Sequence, residues 1–130
     1  MGNEKRLDLF PLSTQIVGDG AAAALTIAGC DLQELAATYG TPLYLYDQQT
    51  MDNAAAAYRA ALREYYPAAA GVTYAGKAFL CTAAAQWVQR QGMILDCTGA
   101  GELHVAVTAG LPRAQILVHG VNKSAADLAA

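Results

Sequence analysis

An α/β fold built on a parallel sheet is what this sequence predicts, and three observations predict it. Short apolar runs centred on Tyr74, Leu95 and Val118 recur every twenty-odd residues, the length of a strand, a crossover helix and two loops. Each run is apolar throughout rather than alternating, as expected of strands covered on both faces. Between the runs lie segments of helical period, stopped by Gly92 and by Gly110 with Pro112. Successive right-handed βα units follow, and two architectures fit them: an open doubly wound sheet or a (β/α)8 barrel. The open dinucleotide-binding version wants G-x-G-x-x-G after its first strand, where this chain has Gly76-Lys77-Ala78-Phe79-Leu80. A barrel needs ~200 residues or more. With 130 residues, three units and a last helix without a C-cap, the chain is expected to be the N-terminal part of a longer protein.

The elements can be justified in order. Leu7 to Val17 mixes apolar and polar residues around Pro11, and Gly18-Asp19-Gly20 forms a turn. Leu25-Thr26-Ile27 is a short strand. Asp31 followed by Glu34 is an N-cap with its capping-box partner, opening a helix striped by Leu32, Leu35 and Ala36. Gly40 ends that helix, and Thr41-Pro42 leads into a strand at Leu43-Tyr44-Leu45-Tyr46, whose tyrosines read as sheet packing. Asp47 caps an Ala-rich helix from about Gln48 to Glu64, closed by Tyr66-Pro67. Then come the strand Val72–Ala75, a helix from Thr82 to Gln91 with Trp87 in its core, and the strand Met93–Cys97. A helix from Glu102 to Ala109, the strand Gln115–His119 and a helix capped by Ser124 complete the pattern.

Composition excludes several classes of function. At 55% hydrophobic and 15% charged residues, with mean hydropathy +0.22, the chain can bury a core. A net charge of −3 and the absence of a basic stripe exclude nucleic acid as a partner. No apolar stretch reaches the ~18–20 residues that span a bilayer, so no membrane is expected. The N-terminal MGNEKRLDLFPL lacks the apolar core of a signal peptide. Met1-Gly2 begins like a myristoylation site, but Arg6 stands where that pattern wants Ser or Thr. Cys30, Cys81 and Cys97 are odd in number and widely spaced, and neither histidine completes a zinc set with them. Free thiols in a cytoplasmic protein, and no metal, are the expectation.

In parallel α/β folds the chemistry gathers at the C-terminal ends of the strands. Lys77, Asp96 and His119 occupy those positions here. Lys77 has two readings. A strand-end lysine commonly extends to solvent. With Ala75, Gly76, Ala78 and Phe79 around it, its ammonium would instead be desolvated towards the neutral amine, the form that condenses with a carbonyl, and the small neighbours leave room for a ring. Asp96 either holds Lys77 charged and oriented or caps the turn at Thr98-Gly99. Glu102 opens a helix, where a carboxylate suits the dipole. His119 is either a satisfied structural histidine or a residue that stacks on, or donates to, a cofactor.

Four strings, in order, carry a family resemblance. Tyr74-Ala75-Gly76-Lys77-Ala78 resembles the YAxKA element of the alanine-racemase-type (fold type III) pyridoxal-phosphate enzymes. Leu95-Asp96-Cys97-Thr98-Gly99-Ala100-Gly101-Glu102-Leu103 is similar to their second element, usually D-V-x-S-x-G-E-L. His119-Gly120-Val121-Asn122-Lys123-Ser124 is similar to the H-G-x-N-K-S stretch of diaminopimelate decarboxylases, and Gly40-Thr41-Pro42-Leu43-Tyr44-Leu45-Tyr46-Asp47 resembles the entry that precedes their barrel. Phe79-Leu80-Cys81 and Thr98-Gly99-Ala100 depart from the usual continuations, but Lys77, Asp96 and Glu102 stay in place.

The resemblance implies a (β/α)8 barrel preceded by short strands that belong to a β-domain. Residues 1–47 would supply the β-domain contribution and the barrel entry, and residues 48–130 the first βα units. It implies that Lys77 carries pyridoxal 5′-phosphate as an internal aldimine and acts in catalysis. Ala75 would line the cofactor ring, Asp96 would lie beside the lysine, and Glu102 and His119 would stand near the barrel mouth as cofactor-binding residues. The implied reaction decarboxylates an amino-acid substrate, meso-2,6-diaminopimelate, to L-lysine and carbon dioxide, in a cytoplasmic homodimer. Ornithine, arginine or carboxynorspermidine as substrate, a non-catalytic carrier of the cofactor, and a barrel aldolase using Lys77 are the alternatives. The glycine-rich phosphate cup, the carboxylate facing the pyridine nitrogen, the substrate-binding Arg and the partner-subunit Cys would lie beyond Ala130, so residues 1–130 alone are expected to be inactive.

Overall fold

The computed structural model describes residues 4–121 and 123–129, in two compact units that meet in sequence between Ala56 and Ala57. The first unit opens with a 3-10 turn, Glu4–Leu9, and a three-stranded antiparallel sheet: β1 (Thr14–Val17), β2 (Ala24–Ile27) and β3 (Cys30–Asp31), in that order. Gly18 makes the first reversal at φ +84°, where a β-carbon would stand 2.8 Å from the Ala22 carbonyl oxygen. The second reversal is two residues long. Ala28 and Gly29 adopt φ of 51° and 77°, both positive as a type I′ hairpin turn demands. An alanine there hides the turn from composition, which is why β3 does not emerge from the sequence.

Helix α1 (Leu32–Tyr39) starts as expected: the Asp31 carboxylate accepts from the Gln33 and Glu34 backbone N–H groups, and Gly40 at φ 81° ends it. Leu43–Tyr46, expected as a strand, is not one. The segment has no ladder partner among the described residues, and Tyr44 is 87% exposed, so its tyrosines do not pack in a sheet. Apolar β-formers specify an extended chain but not a neighbour to pair with.

Asp47 does more than cap α2 (Gln48–Tyr65). Its buried carboxylate accepts from Ser13 Oγ at 2.7 Å, from the Thr50 N–H at 3.0 Å and from Thr50 Oγ1 at 2.5 Å. Those two hydroxyls in turn accept from the Ala28 and Leu12 N–H groups, so one carboxylate ties the start of β1, the β2–β3 turn and the first turn of α2. The Thr50 hydroxyl, against the opposing cost of burial and with help from Ser13, holds the carboxyl below its ordinary 3.8. A depressed folded-state pKa contributes stability that is complete above 3.8 and is lost as pH falls through the lower folded value. Asp47→Ala is therefore expected to cost about 1–2 kcal/mol at pH 7. Asp47→Asn should show a smaller drop in urea midpoint between pH 7 and pH 3 than the wild type; equal drops would refute the assignment.

The second unit is a parallel sheet with sequential order: β4 (Thr73–Ala75), β5 (Ile94–Cys97) and β6 (Ile116–Val118). Its register pairs Ala75 with Asp96 and Cys97 with Val118. Helices α3 (Thr82–Arg90) and α4 (Ala100–Thr108) pack on β5 and on each other, and α5 (Ala125–Ala129) follows β6. The core comprises Ala85, Trp87 and Val88 of α3, Leu95 and Cys97 of β5, and Ala106 of α4. Trp87 meets the Tyr74 ring edge-on, with centroids 5.8 Å apart. Arg59, in the last turns of α2, donates to the Gln91 carbonyl and to its side-chain oxygen just past the end of α3.

The expectation that both faces of this sheet are covered holds on one face only among the described residues. Leu95 and Cys97 are fully buried beneath the helices, whereas Ile94 and Leu117, on the other face, are 37% and 48% exposed. Side chains alternate along a strand, so Asp96 shares the open face with Ile94.

Candidate active site

The C-terminal ends of three adjacent parallel strands bring the sequence-predicted residues to one edge of the second unit. Lys77 sits in a 3-10 turn, Gly76–Ala78, directly after β4. That turn lies close against β5 because residue 76 is glycine: a β-carbon there would stand 2.9 Å from the Asp96 carbonyl oxygen and 3.6 Å from the Glu102 carboxyl carbon. Of the two readings of Lys77, the structure shows the one that extends to solvent and not the desolvated ammonium. Its side chain is exposed and makes no hydrogen bond or ion pair among the described residues. Among the described residues β4 is an edge strand, with a ladder partner on the β5 side only.

Asp96 takes neither of its two expected partners. Its carboxylate, in a side chain 17% exposed, accepts from His119 Nδ1 across the β5–β6 boundary. A carboxylate only accepts, so Nδ1 is the donor in this bond. Parallel registration produces this pair: His119 N–H donates to Cys97 O at 3.0 Å, extending the ladder one rung and setting the imidazole beside Asp96. Ala75, the register partner of Asp96, is half-buried on β4.

The turn that Asp96 was expected to cap is capped by Glu102. Its Oε2 accepts from the Thr98 N–H at 2.5 Å and from the Gly99 N–H at 3.3 Å, satisfying donors at the α4 N-terminus. From the following loop, Lys123 Nζ donates to the Thr98 carbonyl. Asn122, within the same string, lies outside the described residues. Cys97 beneath the site is fully buried, and burial, then Glu102 and Asp96, push its thiol up, so it stays protonated and inert. All three cysteines are free thiols. No helix among the described residues is long and apolar enough to cross a membrane.

Sequence reasoning missed the steric role of Gly76, the Lys123–Thr98 contact and the buried hub at Asp47. A glycine between a strand and a polar residue is a readable sign of close backbone approach. Contacts between two loops leave no such sign.

The sheet presents a primary amine, unpaired among the described residues, just after one strand, with a carboxylate–imidazole pair on the next two. Residues 50–130 match the pyridoxal-binding domain of the pyridoxal-dependent decarboxylases, and the chain belongs to that family, whose cofactor is pyridoxal phosphate. Among named relatives it is similar to the diaminopimelate decarboxylase of Mycobacterium tuberculosis, 44% identical over 108 residues that cover 80% of this chain and 22% of the relative. It also resembles the crystal structure of diaminopimelate decarboxylase from M. jannaschii, at 26% identity and a TM-score of 0.75, covering 90% of this chain and 27% of that one. A crystal structure from Aquifex aeolicus gives 34% identity and a TM-score of 0.73, covering 89% of this chain and 27% of that one. These likenesses decide between the two architectures left open by the strand spacing: the chain has the fold of the N-terminal part of the barrel. The chain spans about a quarter of the length of the relatives it matches.

Proposed function

We infer that this chain supplies the cofactor-lysine segment of an amino-acid decarboxylase, and that the substrate is meso-2,6-diaminopimelate, converted to L-lysine and carbon dioxide. The observation that carries the reading is the unpaired Lys77 amine at the end of β4, on the same sheet edge as the Asp96–His119 pair, in a chain of the pyridoxal-dependent decarboxylase family. The donor set suits the cofactor: a primary amine for its aldehyde and an imidazole with a fixed tautomer.

Lys77 would hold pyridoxal phosphate through Nζ, with Ala75 and His119 alongside it. When bound, the cofactor supplies an electron sink for the pair left behind as carbon dioxide departs. The chain's own residues do the remaining work. With the cofactor bound, Lys77 Nζ would stand where it can move a proton at the reacting carbon. Asp96 keeps the His119 Nδ1 protonated and the ring oriented, so the imidazole presents a defined face and Nε2 to the site. Glu102 is engaged by the Thr98 and Gly99 N–H groups and acts on the site through them.

The names of the relatives support diaminopimelate as substrate, as does the His119–Ser124 string. We further infer that residues 1–47 contribute to a β-domain beside the barrel, and that the whole protein works as a cytoplasmic homodimer. The test is direct. Full-length protein with pyridoxal phosphate and meso-2,6-diaminopimelate should release lysine and carbon dioxide in equal amounts. Turnover of ornithine or arginine in its place would overturn the substrate assignment, and bound cofactor without any turnover would overturn the enzyme reading.

A further inference from the structure

We propose that Lys123 is a positioning residue for the Asp96–His119 pair, acting with Glu102 as a two-sided clamp on the backbone of Thr98. The proposal rests on the cofactor-site reading above and deepens it.

Thr98 is the residue by which the chain leaves β5, two positions after Asp96. Its N–H donates to the Glu102 carboxylate, and its carbonyl accepts from the Lys123 ammonium. A negative group therefore acts on the donor end of this residue and a positive group on its acceptor end. Hydrogen bonds with one charged partner are roughly twice as strong as neutral ones. Glu102 lies in the first turn of α4, four residues after Thr98. Lys123 comes from the loop after β6, so its bond crosses from the end of β5, which carries Asp96, to the segment that follows His119.

The path of that second loop is shaped for the contact. Gly120, next to His119, adopts φ +109°, and a β-carbon there would stand 3.0 Å from Lys123 Nζ and 3.2 Å from Thr98 Cγ2. The positive φ favours glycine, and the absent β-carbon leaves room for the Lys123 ammonium beside Thr98. Three ties then cross from β5 to β6 beyond the sheet proper: Cys97 O with His119 N–H, Asp96 with His119 Nδ1, and Thr98 O with Lys123 Nζ. The His119 side chain is 49% exposed, so water competes for Nδ1 unless the flanking backbone is held. Lys123 is the tie that holds it on the far side of His119.

The experiment uses the full-length protein with ¹⁵N-labelled histidine, with and without pyridoxal phosphate. The His119 Nδ1–H resonance, identified by its loss in His119→Gln, should be present in the wild type. In Lys123→Met its exchange with solvent should quicken by about tenfold or more while kcat falls by about tenfold and KM stays within about twofold. Lys123→Arg, which keeps the cation and the reach, should restore both. An unchanged His119 resonance in Lys123→Met overturns the proposal, and so does a loss of cofactor affinity alone, which would mean that Lys123 contacts the cofactor itself. If Lys123→Met does not fold, Lys123→Gln, which removes the cation and shortens the reach, must show the same quickened exchange or the proposal fails. Borohydride reduction of the wild type tests the underlying reading separately. A missing adduct on Lys77 would sink the cofactor site while the resonance still decides the clamp.

Discussion

Replacing Lys77 with alanine in the full-length protein is expected to abolish the borohydride-trapped cofactor adduct and to cut lysine formation by about a thousandfold or more. The expectation follows from what the amine does and does not touch. It makes no ion pair or hydrogen bond among the described residues, so its removal leaves no buried charge unpaired and costs little stability. Its neighbours are held by other means. Gly76 keeps the turn against the Asp96 peptide, and Asp96 retains His119 as its partner. A variant with unchanged circular dichroism and lost adduct would locate the defect in the amine alone. An adduct mapped to another lysine, or activity within tenfold of wild type, would remove Lys77 from the mechanism.

The largest expected effect on stability comes from Leu95→Ala. Leu95 is fully buried in the middle of the central strand of the parallel sheet, paired in register with Tyr74 on one side and Ile116 on the other. Truncating it removes three carbons from a site walled by backbone ladders and by α3 and α4, where collapse is restricted. The loss should be about 2–5 kcal/mol, a large share of the ~5–15 kcal/mol that holds a typical domain folded. Urea unfolding of the 130-residue chain, followed by the fluorescence of its single tryptophan, Trp87, reads this directly. A midpoint within error of the wild type would mean that the helices do not close over β5 as described. Because Asp96 follows Leu95 on the same strand, the variant should also weaken cofactor retention in the full-length protein.

Much of the fold is legible in the chain because its signals are local. Asp31 and Glu34 mark a helix start and Gly40 and Gly92 mark helix ends through contacts within a few residues, and the apolar runs at Tyr74, Leu95 and Val118 mark strands by their composition and regular spacing. The Asp47 cap is local as well, but its burial and its reach to Ser13, more than thirty residues away, depend on the folded hairpin. Leu43–Tyr46 reads as a strand for the opposite reason. Its side chains favour an extended backbone, and nothing in a sequence window reveals whether a pairing edge is available.

The same division applies at the site. That Lys77, Asp96 and His119 lie at the ends of three consecutive strands is readable from the chain, because the placement needs only strand spacing and the rule that functional groups gather there. Tertiary structure alone decided who meets whom. Asp96 bonds His119 rather than Lys77, because parallel registration sets the imidazole one rung beyond Cys97 while Lys77 stands on an outer turn. Glu102 caps Thr98 and Gly99, and Lys123 grips the same peptide from a loop twenty-five residues away. Partner choice of this kind is set by distances across strands, a quantity that no linear spacing of residues encodes.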